Sequence, residues 1–152
     1  MSKIRITKEF KFESAHALLG YDGPCKNIHG HSYKLAVTVI GEPLNDTTSP
    51  KNGMVMDFGV LKQIVNESIV KPFDHALVLN TNTKNVNSLE VKSLSEKLIL
   101  VNYQPSCENF LIDFAERIKN KLPENIELFS IRLNETSNSY AEWYASDNIK
   151  ER

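Results

Sequence analysis

Cysteine is scarce in this chain of 152 residues: only Cys25 and Cys107 occur, too few for a disulfide framework. Two free thiols fit a reducing compartment better than a lone bridge does. Long apolar runs are missing too, and none approaches the ~18 residues that a membrane span needs. The opening segment Met1-Ser2-Lys3-Ile4-Arg5-Ile6 has no apolar core of a secretory signal. No membrane association and a cytoplasmic location are therefore expected. Nor is either charge in excess. The balance of 18 basic against 19 acidic residues leaves a net −1, which gives neither a nucleic-acid footprint nor an acidic tail. No internal repeat is long enough for a solenoid. What remains is a single domain, 1–152, with an ordinary hydrophobic fraction of 41% and enough length to bury its own core.

Histidine is also sparse, with 4 in the chain, and it is clustered. His29 and His31 stand in the run Cys25-Lys26-Asn27-Ile28-His29-Gly30-His31, and His75 follows Asp74. Ile4, Ile6, Phe10, Phe12, Ser14 and His16 share one parity, the mark of a half-buried strand with His16 near its end. Tyr33, Leu35, Val37 and Val39 alternate likewise and share the parity of His29 and His31. Two imidazoles at i and i+2 of a strand project from one face, about 7 Å apart, and can reach one ion. The turn residues between Gly20 and Pro24 predict an antiparallel hairpin.

Gly41 to Gly53 reads as a loop. Asp57 is placed to cap a helix through Leu61, Ile64, Val65, Ser68 and Ile69, stopped by Pro72. The polar segment 80–93 is expected to be a loop insertion and 97–101 a short strand. Ser106 is placed to cap a second helix that presents Leu111, Phe114, Ala115, Ile118 and Leu122 and ends before Pro123. Alternating stretches at 129–133 and 140–144 predict two last strands joined by a turn from Asn134 to Asn138. The pattern predicts an α+β domain: an antiparallel sheet with two helices packed on one face.

Three histidines leave a zinc ion one ligand short, and an open position is what a catalytic site keeps. Cys25 could instead close the site as a structural Cys-His₃ centre, or serve as base or nucleophile if its thiol ionises, or be ordinary filler in a loop. Asp74-His75 reads either as an oriented acid–base pair or as a helix C-cap. Glu108 suits the N-terminal turn of the second helix electrostatically. Glu135, in the last turn, is a solvated carboxylate or a bidentate acceptor for the amidine-like edge of a pterin or guanine.

Taken in order, Phe12-Glu13-Ser14-Ala15-His16, Cys25-x-x-x-His29-Gly30-His31, Met56-Asp57-Phe58, Phe73-Asp74-His75, Pro105-Ser106-Cys107-Glu108-Asn109 and Asn134-Glu135-Thr136 resemble the 6-pyruvoyl-tetrahydropterin synthase superfamily. The likeness spans nearly the whole chain. The three-residue gap between Cys25 and the His-Gly-His looks like the bacterial 6-carboxytetrahydropterin synthases of queuosine biosynthesis. The resemblance implies a tunnelling fold, assembled as a homohexamer of two trimers with shared sites. It implies Zn²⁺ on His16, His29 and His31, and Cys25 as the proton acceptor. Asp74 and His75 would be its relay, Glu135 the pterin anchor, and Glu108 an assistant. The implied reaction is conversion of 7,8-dihydroneopterin triphosphate to 6-carboxy-5,6,7,8-tetrahydropterin, with loss of acetaldehyde and triphosphate. Formation of a 6-pyruvoyl or hydroxymethyl pterin on the same scaffold is the near alternative, and a non-catalytic zinc or pterin module the distant one. Cys107 stands where members often carry a hydroxyl or small residue, and segment 80–93 is longer than in compact bacterial members.

Overall fold

A computed structural model describes residues 2–149. Its frame is a long antiparallel hairpin of β1 (Ile4–His16) and β2 (His29–Gly41), paired from Ile4↔Gly41 to His16↔His29. The alternation read from sequence is the cause. Phe10 and Phe12 from β1 face inward with Tyr33, Leu35, Val37 and Val39 from β2, and all are buried. The connection bends at Gly20, whose φ of +72° would strain any residue with a Cβ.

Helix α1 (Phe58–Val65) starts where expected, with the Asp57 carboxylate accepting from Gly59 N at 2.7 Å. It does not stop before Pro72. It passes through a π-helical turn (Asn66–Val70) into α2 (Lys71–Phe73). Proline has no N–H to offer the carbonyl four residues back, that of Ser68. Arg117 Nη1 donates to that oxygen instead, at 3.3 Å. Then follow β3 (Ala76–Asn80), α3 (Leu89–Leu94), β4 (Leu98–Val101), α4 (Cys107–Lys119), β5 (Glu127–Thr136) and β6 (Ser139–Tyr144).

Three further features depart from the expected pattern. β3 was not foreseen, because Ala76-Leu77-Val78-Leu79 is buried on both faces and so does not alternate. It runs parallel to β1 and to β4, so the sheet is mixed, in the order β4-β3-β1-β2-β5-β6. The expected antiparallel pairing holds for β1, β2, β5 and β6 but not for β4, which pairs only in parallel with β3. Segment 80–93 is not all loop, since Ser88 caps α3 by accepting from Val91 N. Finally, β5 continues to Thr136, which pairs with Ser139, so the last turn is shorter than read and Glu135 belongs to a strand.

The two main helices cover the inner face, as expected of an α+β fold. Leu61, Val65 and Ile69 from the first helical run and Phe110, Phe114 and Ile118 from α4 complete one core with the hairpin. Phe12 stacks on Tyr33 with centroids 5.1 Å apart, and Phe73 meets Phe114 edge-on at 5.0 Å. Burying each such side chain is worth about 1.5–3 kcal/mol. This packing continues along the hairpin to its histidine end, where Tyr33 meets His31 edge-on.

Candidate metal centre

The hairpin register makes the site. His16 lies directly across from His29 and diagonal to His31, and all three occupy the inner face. Their ring centroids form a near-equilateral triangle of 4.6, 4.9 and 5.1 Å. His16 is fully buried, and the other two are half-buried.

Two of the rings are fixed from behind. His16 Nδ1 donates to the Pro105 carbonyl at 2.6 Å, and His29 Nδ1 to the Asn27 carbonyl at 2.7 Å. A carbonyl can only accept, so each Nδ1 carries a proton, and in the neutral ring Nε2 is then a bare lone pair. Those two lone pairs face each other at 3.0 Å. The Glu135 carboxylate adds a third donor, with Oε1 2.9 Å from His31 Nε2 and 3.4 Å from His16 Nε2. The His31 nitrogen is buried and, despite that proximity, is not aligned for a hydrogen bond. All four donor atoms lie within 4.8 Å of one another. Lone pairs converging in this way repel unless a cation sits among them. A dication with nitrogen and oxygen ligands satisfies every one, and backbone carbonyls behind ligand imidazoles are the usual outer support of such a site. The residues present fit a metal.

Protonation agrees with ligand duty. Burial lowers the His31 pKa by more than Glu135 raises it, and the adjoining imidazoles of His16 and His29 lower it further. Glu135 is held below the usual carboxylate range, first by His16 and then by the charges of His31, His16 and His29, against the effect of burial. Behind the cluster, the Tyr33 hydroxyl is buried without a partner, and burial raises its pKa. Cys107 is also buried, its Sγ 3.5 Å from the Leu133 carbonyl. Burial, with Glu135 and Glu108 adding to it, pushes that thiol up to about 12, so it stays protonated and inert.

The remaining candidates sit apart. Cys25 lies half-buried in a helical turn, Pro24–Lys26, at the hairpin mouth, and its carbonyl accepts from Leu18 N. Its thiol is not among the converging donors. Asp74 and His75 do pair, with Oδ2 3.1 Å from Nδ1. Asp74 Oδ1 accepts from Glu13 N at 2.9 Å, which ties the pair to β1 and is the first cause of its lowered pKa. His75 has a φ of +59°, an uncommon setting for a residue with a side chain, and its ring is largely exposed. It borders a cavity of about 560 Å³ that also touches Glu13, Gly30, His31 and Ser32. Glu13 and Ser32 have the parity opposite to the metal-facing histidines, so the cavity opens on the reverse face of the sheet. Among the described residues, no hydrogen bond or ion pair links Cys25 or His75 to the three-histidine cluster. Glu108 is exposed in the first turn of α4 and, among the described residues, joins no ion pair.

Sequence reasoning missed the carbonyls of Asn27 and Pro105, since a backbone acceptor leaves no residue-type signal. It also missed that Glu135 joins the histidines. Parity would have found it: extending the register Lys34↔Asn134 by one step sets Glu135 opposite Tyr33, on the inner face.

The fold and site define a mixed-sheet α+β domain with a candidate metal centre at a strand end. A family model described as 6-pyruvoyl tetrahydropterin synthase matches residues 5–146. The chain is 36% identical over 141 residues to the 6-carboxy-5,6,7,8-tetrahydropterin synthase of Haemophilus influenzae, covering 91% of this chain and 97% of that one. It is 28% identical to the protein of the same name from Rickettsia bellii, covering 91% and 99%. Among solved structures it resembles the 6-pyruvoyl tetrahydropterin synthase of Caenorhabditis elegans, with a TM-score of 0.69, 23% identity and coverage of 95% and 97%. The chain belongs to the 6-pyruvoyl tetrahydropterin synthase family, and its fold is the tunnelling fold.

Proposed function

We propose that the chain is a zinc-dependent carbon–carbon lyase that converts 7,8-dihydroneopterin triphosphate and water to 6-carboxy-5,6,7,8-tetrahydropterin, acetaldehyde and triphosphate. One observation carries the reading: the converging Nε2 atoms of His16, His29 and His31, two of them committed by carbonyls behind, in a relative of proteins bearing that name. Zinc held there would act as a Lewis acid toward negative charge developing on a side-chain oxygen of the substrate.

The chain's own groups do the rest. The Cys25 thiolate, formed when its proton passes to the relay, takes the proton from the substrate side chain at the hairpin mouth. Asp74, held by Glu13 N, accepts from His75 Nδ1 and leaves Nε2 free to exchange a proton with the thiol. Glu135 accepts from the amino and ring N–H groups of the pterin, and Glu108 assists from the start of α4. Because, among the described residues, no hydrogen bond or ion pair joins Cys25 to His75, the relay is completed between copies of a homohexamer. Among the described residues, no helix is long and apolar enough to cross a membrane. By resemblance the product would serve queuosine biosynthesis, and the two free thiols fit the cytoplasm.

Incubating the zinc-loaded protein with 7,8-dihydroneopterin triphosphate and identifying products by mass spectrometry tests this. The carboxy pterin with equimolar acetaldehyde is expected. A 6-pyruvoyl or hydroxymethyl pterin, or no turnover, overturns it.

A further inference from the structure

Glu135 stands closer to the histidines than an anchor for the pterin ring requires. Its Oε1 is as near to His31 Nε2 as the His16 and His29 nitrogens are to each other, at 2.9 against 3.0 Å. The backbone arranges this. The β5–β6 register shifts between Asn134 and Thr136, leaving Glu135 as a bulge residue, and bulges re-aim side chains beside active sites. Across the other edge of β5, the position opposite Tyr33 puts Glu135 diagonal to His31 on the same face. The carboxylate is half-buried, and among the described residues no lysine or arginine pairs with it; the basic groups it meets are the imidazoles of His16 and His31.

A half-buried carboxylate without a permanent cation is costly to hold against three uncharged rings, but not against a dication. We infer that Glu135 is the fourth ligand of the resting metal centre, bound through Oε1, and that substrate oxygen takes its place. Three neutral imidazoles and one carboxylate leave a single net positive charge around a dication. The position stays closed to water until substrate arrives. The displaced carboxylate is then free at the edge of the site, where it can accept from the pterin. This role rests on the metal reading above and extends it: Glu135 is both the gate of the open position and the group released by opening it.

The test uses Co²⁺ alone as probe on the full-length, metal-free protein, reading affinity and ligand-field absorption. Glu135→Gln keeps shape and removes the anionic ligand; Glu135→Asp keeps the charge but withdraws the oxygen. Direct ligation predicts weaker Co²⁺ binding in both, by about tenfold or more in the Gln variant, with a changed spectrum as water replaces the carboxylate. It also predicts that 7,8-dihydroneopterin triphosphate alters the wild-type spectrum. Wild-type affinity and spectrum in Glu135→Gln overturn the inference while leaving the metal site standing. Wild-type behaviour in Glu135→Asp alone also overturns it, because charge without contact would then suffice. No Co²⁺ binding to the wild-type protein removes both the inference and the metal reading.

Discussion

The histidine cluster and the Asp74–His75 pair flank the same end of β1 and are built in opposite ways. On the inner face, His16 is buried, its ring and that of His29 are pinned by carbonyls, and the donors converge within one chain. On the reverse side, His75 is exposed on an uncommon backbone setting, held only through Asp74 and Glu13. The first arrangement is preorganised, as a metal site must be to select geometry. The second is an oriented imidazole whose ring, among the described residues, pairs with Asp74 alone. Under the proposed function, that difference would put metal binding in the protomer and proton transfer between copies.

The largest effect should follow from breaking the cluster. His29→Ala is expected to drop metal content from about one per chain to near zero and to abolish turnover, by elemental analysis and product assay. If metal and turnover both survive, the contrast between the two regions has no chemical meaning. Cys25→Ala should lower turnover by about 10²–10⁴-fold while metal stays near one per chain. Loss of metal in that variant would return Cys25 to the ligand set.

A mixing experiment sharpens the assignment of the second region. Cys25→Ala and His75→Ala are each expected to be inactive, but copies unfolded and reassembled together at equal ratio should regain activity in about a quarter of sites if the relay spans two chains. Continued inactivity would put both groups in one chain. The smallest effect concerns pH. Asp74 has a folded pKa below its unfolded value, so its contribution is present above the usual carboxylate range and fades as pH falls through the folded value. Asp74 is partly exposed, so Asp74→Asn should cost less than about 1 kcal/mol near pH 7 in urea unfolding. The difference from wild type should shrink in acid; a difference that grows there would contradict the Glu13 tie.

Much of this was legible in the sequence because parity is local. The phases of His16, His29 and His31 on two alternating strands already placed three imidazoles on one face, and the Asp57 and Ser106 caps marked both main helices. What was not legible depended on burial from two sides or on pairing at a distance. β3 lacks alternation because the sheet covers it on both edges and apolar side chains cover both faces, including the small cluster of Leu77, Leu79 and Val86. Glu135 read as a turn residue because Asn134 and Asn138 are turn formers, while the pairing of Thr136 with Ser139 decides otherwise.

The central claim is that the ion sits among imidazoles and oxygen, with Cys25 outside its shell. X-ray absorption at the zinc edge of the substrate-free protein measures this directly. The account predicts only nitrogen and oxygen scatterers at about 2.0–2.2 Å, three of them histidine. A sulfur scatterer at about 2.3 Å would contradict it and make the centre a closed Cys-His₃ site.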